Sequence, residues 1–390
     1  MRIRKLTAWH VCLPLKRPFS HASHVRQASE NVLIECELHN GTRGWGEGVP
    51  REYVTGETPH TCFDQLAGTC LQEQLAGEFD SWNDVIATCE RFQPAQTGDN
   101  PRGCGSNALK CAVELSILDA FAREVGEPVS QLLDHFPIAR SLGTKKNEVR
   151  YSTVIGSGRR LRNKALKMRL YGFRHCKVKV GAGDDDVSRL RTIRRWIGPD
   201  VDLRIDANEA WLPDELPGRL EPLAQFQIRS VEQPCPHAKL AELASKKSQL
   251  VVPIMLDESV TSLADGERAI ELGACDSFNI RLSKCGGYLA SLRLAALAQR
   301  AGLGYQLGCH PGESGILSAA GRHWASSVSG IQYVEGSYDR HLFRRLLTHE
   351  DLTFGYGGRA PALTGPGLGV TVNTQVLRDV TIREQTFPLS

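Results

Sequence analysis

The chain has 390 residues, long for one domain, so two domains with one of them large is the natural expectation. Apolar residues at 41% and charged residues at 23% are near the ordinary range, and a net charge of +3 gives no reason to expect nucleic acid or an anionic membrane as partner. No run approaches 18 apolar residues, and no two of the twelve cysteines have C-x-x-C spacing, which speaks against a membrane span and a structural zinc site. Cysteines inside apolar runs, such as Cys36 and Cys176, read as small hydrophobes with reduced thiols, consistent with a cytoplasmic protein.

Residues 1–135 read as a small α+β domain. The opening stretch has the character of a strand, "NVLIECEL" alternates as a strand should, and "HNGT" after it is a good hairpin turn. From about 60 the pattern turns helical, most clearly in "NALKCAVELSILDAFAREVG" with Gly126 as a stop. Over 145–355 a new rhythm begins. Apolar strands ("VRYSTVIG", "HCKVKVG", "DLRIDAN", "IRSVEQP", "VVPIMLDES", "DSFNIRLSKCGG", "LGYQLGCHP", "IQYVEGS") alternate with seven helical segments. Regular βα alternation of this length predicts a parallel α/β fold, and eight strands favour a closed barrel, a modified TIM barrel of the (β/α)7β type. An open doubly wound sheet is the alternative. The basic run from Arg159 to Arg169 reads as the solvated outer face of a helix. Residues 356–390, rich in Gly and Pro at first, are expected to pack back on the first domain.

In such a barrel, residues at the C-terminal ends of the strands face the active site. Strand 2 offers Lys177 and Lys179, strand 3 Asp206 with Asn208, strand 4 Glu232, strand 5 Asp257 followed by Glu258, and strand 6 Lys284 just beyond its end. The steps from Asp206 to Glu232, Asp257 and Lys284 are 26, 25 and 27 residues, each about one βα unit. Three converging carboxylates repel unless a cation neutralises them, and an all-oxygen donor set suits a hard ion. Asp206, Glu232 and Asp257 are therefore predicted to hold Mg2+, with Mn2+ as the alternative ion. Strands 2 and 6 lie across an eight-stranded barrel from one another. A substrate carboxylate at the metal would then have its α-carbon between Lys179 on one face and Lys284 on the other. The metal would stabilise the enediolate left by proton removal. The lysine base must be neutral, and the charge on nearby Lys177 would help to lower the proton affinity of Lys179.

The set "KVKVG", "DANEAW", "VEQP", "LDES" and "NIRLSKCGG" resembles the enolase superfamily, and within it the muconate-lactonizing subgroup of the mandelate racemase/muconate lactonizing enzyme family. "GWGEGVPREYVTGET" is similar to that family's capping domain, so the resemblance extends over most of the chain. It implies Lys179 and Lys284 as acid/base catalysts, Lys177 as their electrostatic partner, and Asp206, Glu232 and Asp257 as ligands of Mg2+. It also implies a homo-oligomer acting on a small carboxylate.

The resemblance leaves the reaction open among racemisation or epimerisation, cycloisomerisation of the muconate type and dehydration of acid sugars. A racemase or epimerase of N-substituted amino acids or dipeptides is the leading reading, and a barrel that only binds metal is the non-enzymatic alternative. Substrate choice is expected to fall to Ser20, His21, Tyr53, Thr55, His310, Glu313 and Glu335. Two departures stand out. Dipeptide epimerases of the family carry Asp-x-Asp near strand 8, where this sequence reads "VEGSYD", and "CHPGESGILSAAG" departs from the muconate-lactonizing pattern. A His–Asp dyad of the mandelate racemase kind, through His310, is a weaker alternative to the lysine pair.

Overall fold

Gly44, Gly46 and Gly48 alternate along the strand Arg43–Gly48, so all three present the same side of it. The long helix Asn107–Glu124 lies against that side. A Cβ on Gly44 would fall 2.1 Å from the Ala120 nitrogen, on Gly46 1.9 Å from the Ala112 oxygen, and on Gly48 2.0 Å from the Ala108 oxygen. Backbone meets backbone here, which glycines on the strand and the small residues Ala108, Ala112, Ser116 and Ala120, one turn apart on the helix, permit. The structure is a computed structural model; it describes all residues except 21–24, 99, 101, 157, 159, 184 and 390, and leaves the side chains of 19, 20 and 25 undescribed.

The N-terminal sheet is antiparallel, in the order Thr381–Pro388, Ile3–Ser20, Val25–Leu38, Arg43–Gly48. The final strand of the chain thus lies beside the first. The helix Asn107–Glu124 is buried along almost its whole length, with the sheet on one side and the barrel on another. This explains why its apolar residues surround the helix rather than forming a stripe.

The barrel strands are Thr153–Ile155, His175–Lys179, Asp202–Asp206, Ile228–Glu232, Ile254–Leu256, Ser277–Ile280, Gly304–Leu307 and Ile331–Val334. They are parallel and neighbour one another in chain order. The ends of this curled sheet meet through a bridge between Tyr151 and Val334, with Ser152 N donating to Val334 O at 2.7 Å. The sheet therefore curls round on itself, and the open doubly wound alternative is set aside. The basic helix Leu161–Leu170 buries only Ala165, as a solvated outer face should.

One predicted strand is divided. "VRYSTVIG" reads as continuous, yet Glu148–Arg150 pairs antiparallel with Arg359–Pro361 and only Thr153–Ile155 enters the barrel. Tyr151 N donates to Gly358 O at 2.7 Å, so the later segment takes the first part of the strand away from the barrel. That partner lies some 200 residues on, beyond any local pattern.

Candidate active site

The register places the charged residues. Lys179 pairs with Asp206 across the second and third strands, and Asp206 with Glu232 across the third and fourth. Glu232 pairs with Met255, so Asp257 stands two residues further along its strand end than the other two carboxylates. Equal spacing in sequence thus hides a step in height. Asn208 and Gln233, just beyond Asp206 and Glu232, have φ of 44° and 36°. Left-handed backbone at non-glycine residues is strained and clusters at functional sites.

Asp206, Glu232 and Asp257 are fully buried, and each touches two cations. Lys179 Nζ donates to Asp206 Oδ2 and Asn208 Oδ1, both at 2.6 Å. Lys177 Nζ lies 3.3 Å from Asp206, 3.2 Å from Glu232 and 2.9 Å from Glu335. The Arg281 guanidinium contacts Asp257 Oδ2 and lies 3.7 Å from Glu232 Oε1. Lys284 Nζ donates to Asp257 Oδ1 at 2.9 Å and to the carbonyls of Asp257 and Asn279 at 2.6 and 2.7 Å. Buried charges persist only when paired in this way. Burial favours the acid form of Asp206, but Lys179 and Lys177 outweigh it and hold the carboxyl below its usual range. Among the described residues Glu258 has no such partner, and burial together with the Asp206 charge pushes it up to about 7.

Lys177, Lys179, Asn208, Glu258 and Arg281 line a cavity of about 180 Å³ together with Tyr53, His310, Glu313 and Glu335, while Asp206, Glu232, Asp257 and Lys284 lie buried behind that lining. Four of the predicted specificity residues are therefore brought together. Thr55 is not. It ends the short helix Glu52–Thr55, its hydroxyl turns back to the Arg51 carbonyl, and it lines a separate cavity of about 240 Å³. Ser20 ends the first strand, but its side chain, like His21, lies outside the described residues. Glu335 is engaged at both oxygens, with Lys177 and with Arg204 Nη2 at 2.6 Å. His310 is buried, neither ring nitrogen is hydrogen-bonded among the described residues, and burial drives its pKa well down, leaving a neutral imidazole. Glu313 accepts from His310 N at 2.6 Å, and burial pushes it up to about 8.

More than half of the chain, residues 160–376, matches the family described as enolase C-terminal domain-like. The chain belongs to the enolase superfamily. It is 27% identical over 404 residues to the N-succinyl-L-Arg/Lys racemase of Bacillus cereus, covering 98% of each chain. It is 29% identical over 343 residues to the hydrophobic dipeptide epimerase of Enterococcus faecalis, covering 85% of this chain and 89% of that one. The crystal structure of the Bacillus cereus racemase superposes with a TM-score of 0.85 over 99% of this chain and 100% of that one, at 27% identity. A dipeptide epimerase from Cytophaga hutchinsonii, complexed with Mg and D-Ala-L-Val, gives 0.83 at 26% identity over 99% and 100%.

Enolase superfamily members bind Mg2+. Here the three carboxylates supply the oxygen donors a hard ion requires, but cationic side chains stand between them. Among the described residues no group of three or more His, Cys, Asp or Glu side chains is arranged to hold a metal as it stands. The donor chemistry fits the ion, provided that the Arg281 guanidinium withdraws from between Glu232 and Asp257. Arg281 and Arg204 were not singled out from the sequence. Arg281 stands inside "NIRLSKCGG", three residues before Lys284, so a signal was present. Arg204 is a cation in the middle of an apolar strand, a second such signal.

Proposed function

We propose that this enolase-superfamily protein is a racemase or epimerase. It would remove and return the α-proton of a small carboxylate between Lys179 and Lys284, with Asp206, Glu232 and Asp257 holding Mg2+. The observation that carries this reading is the placement of the two lysines. Lys179 ends the second strand and Lys284 follows the sixth, four strands away round an eight-stranded barrel, with the three carboxylates on the arc between. When bound, the ion would stabilise the negative charge that grows on the substrate carboxylate as the α-proton leaves.

The remaining work falls to side chains. Burial pushes Lys284 down to about 8, so a useful fraction of it is neutral near physiological pH. Asn208 and Asp206 orient the Lys179 ammonium. Lys177, tied to three carboxylates, serves as a fixed cation rather than a proton carrier.

Among racemase substrates, the N-substituted amino acids are favoured over dipeptides with a free ammonium at the eighth strand. Glu335 has both oxygens occupied, and the Ser337 hydroxyl is bonded to Tyr151 and Arg322. Glu335 is thus already balanced by two cations and Ser337 is neutral, so neither offers an ammonium an unpaired charge. His310, with an N–H and a lone pair both unused, suits the amide or acyl group of an N-substituent.

The test is incubation in D2O with Mg2+ and separate pools of N-succinyl amino acids, N-acetyl amino acids, dipeptides, acid sugars and muconates, read by mass spectrometry. Deuterium at the α-carbon of both enantiomers of an N-acyl amino acid is the expected result. Loss of water would point to a dehydratase, an isobaric lactone to a cycloisomerase, and either would displace this reading.

A further inference from the structure

Two residues of the N-terminal domain reach into the turn that carries Lys284. Asn107 and Glu114 are seven residues apart on the helix Asn107–Glu124, hence two turns apart on one face. Asn107 Nδ2 donates to the carbonyl of Lys284 itself at 2.7 Å and to Thr261 O at 2.8 Å. Glu114 Oε1 accepts from Tyr288 N and Leu289 N, the first two amides of the helix Tyr288–Arg300. That helix has no side-chain cap from its own N-cap residue, Gly287, so a glutamate from another domain supplies it. Val49 N, at the edge of the N-terminal sheet, donates to Ser283 Oγ at 2.8 Å.

The two glycines after Lys284 mark how close this approach is. Gly286 and Gly287 have φ of 87° and 122°. A Cβ on Gly286 would lie 3.1 Å from Asn107 Oδ1, and one on Gly287 2.5 Å from Glu114 Oε1. The turn is shaped to receive the helix of the other domain. Lys179 is held differently. Among the described residues its side-chain partners, Asp206 and Asn208, both belong to the barrel.

We propose that Asn107 and Glu114 are positioning residues for Lys284, so that the N-terminal domain sets the place of one of the two opposed lysines and the barrel sets the other. This rests on the reading of Lys179 and Lys284 as acid/base groups on opposite faces of the substrate. Loosening the clamp should then have a handed effect. It should slow proton transfer on the Lys284 face and spare the Lys179 face.

The test uses the full-length protein with Mg2+ in D2O and, as separate probes, the L and D forms of N-succinylarginine, N-succinyllysine and N-acetylmethionine. Asn107→Ala should slow α-deuterium exchange about tenfold or more from the enantiomer served by Lys284 and less than about twofold from the other, since a small misplacement of a reacting group is costly. Asn107→Asp, which keeps the shape but loses the donor, should act in the same direction. Glu114→Ala should repeat the handed loss, and Glu114→Gln, which keeps an acceptor oxygen, should restore it. Backbone amide exchange without substrate should quicken at residues 283–289 in the alanine variants and stay unchanged at 175–181. Equal loss on both faces, or unchanged amide exchange at 283–289, would overturn the proposal. If no probe exchanges with the unaltered protein, the amide measurement decides it. Lys284→Ala separates the two readings, because it must abolish exchange from one enantiomer only. Should it fail to do so, the opposed-lysine reading falls whatever Asn107→Ala does.

Discussion

Lys177 and Lys284 are both sealed inside the barrel, and burial opposes the charge on each. They end in opposite places. Around Lys177 stand the carboxylates of Glu232, Glu335 and Asp206, whose attraction outweighs burial and holds the ammonium well above the usual lysine range. Around Lys284 two of the three acceptors are backbone carbonyls, and Arg281 competes for the one carboxylate, so burial prevails and the amine is pushed down to about 8. The same side chain becomes a fixed cation or a proton carrier according to how many carboxylates face it, not how deeply it lies. The repulsion implied by "KVKVG" is answered in the same way, since the Lys177 charge is balanced by carboxylates from the third, fourth and eighth strands.

Removing the fixed cation breaks this contrast most severely. Lys177→Ala leaves three buried carboxylates facing one another, and loss of one partner from a buried ion pair costs about 3–5 kcal/mol. Urea unfolding should show a loss of that order, whereas a loss below about 1 kcal/mol would mean that the cluster does not depend on Lys177. Glu335→Gln removes one of its three carboxylates and half the partnership of Arg204. It should cost less, about 1–3 kcal/mol by the same measurement.

The contrast is sharpened by pH. In the direction in which Lys284 takes the proton, kcat should rise with pH through about 8 and level off, because the base must be neutral. In the reverse direction Lys284 must carry the proton, so kcat should fall over the same range. Identical profiles from the two enantiomers would remove Lys284 from the chemistry. A second pH effect is on stability. Burial pushes Glu114 up to about 8, so between the ordinary carboxylate value and about 8 the folded chain binds more protons there than the unfolded one. That contribution is fully present at low pH and is lost as pH rises through the window. Glu114→Gln should flatten this fall in denaturation curves measured from pH 5 to 8.

Much of the site was legible because it repeats. A carboxylate at each of three consecutive strand ends, one βα unit apart, survives projection onto a line. What did not survive was any pairing with a residue far along the chain that no repeat announces. Arg204 acquires its meaning from Glu335, 131 residues on, and the first barrel strand was cut short by Gly358. Tyr53 and Thr55 share the segment "REYVTGE". In the structure Tyr53 borders both the cavity beside Lys179 and the second one, whereas Thr55 borders only the second. The glycines of "GWGEG" and "KCGG" were visible in the sequence, but not the helix that both accommodate.

The most direct test of the opposed-lysine account is to assay Lys179→Ala and Lys284→Ala separately against each enantiomer of the N-acyl amino acid that the unaltered protein exchanges, following α-deuterium in D2O by NMR. Both variants should lose racemisation, and each should retain α-exchange with one enantiomer, opposite in hand for the two. Racemisation by either variant at the unaltered rate, or retained exchange with the same enantiomer in both, would contradict the account.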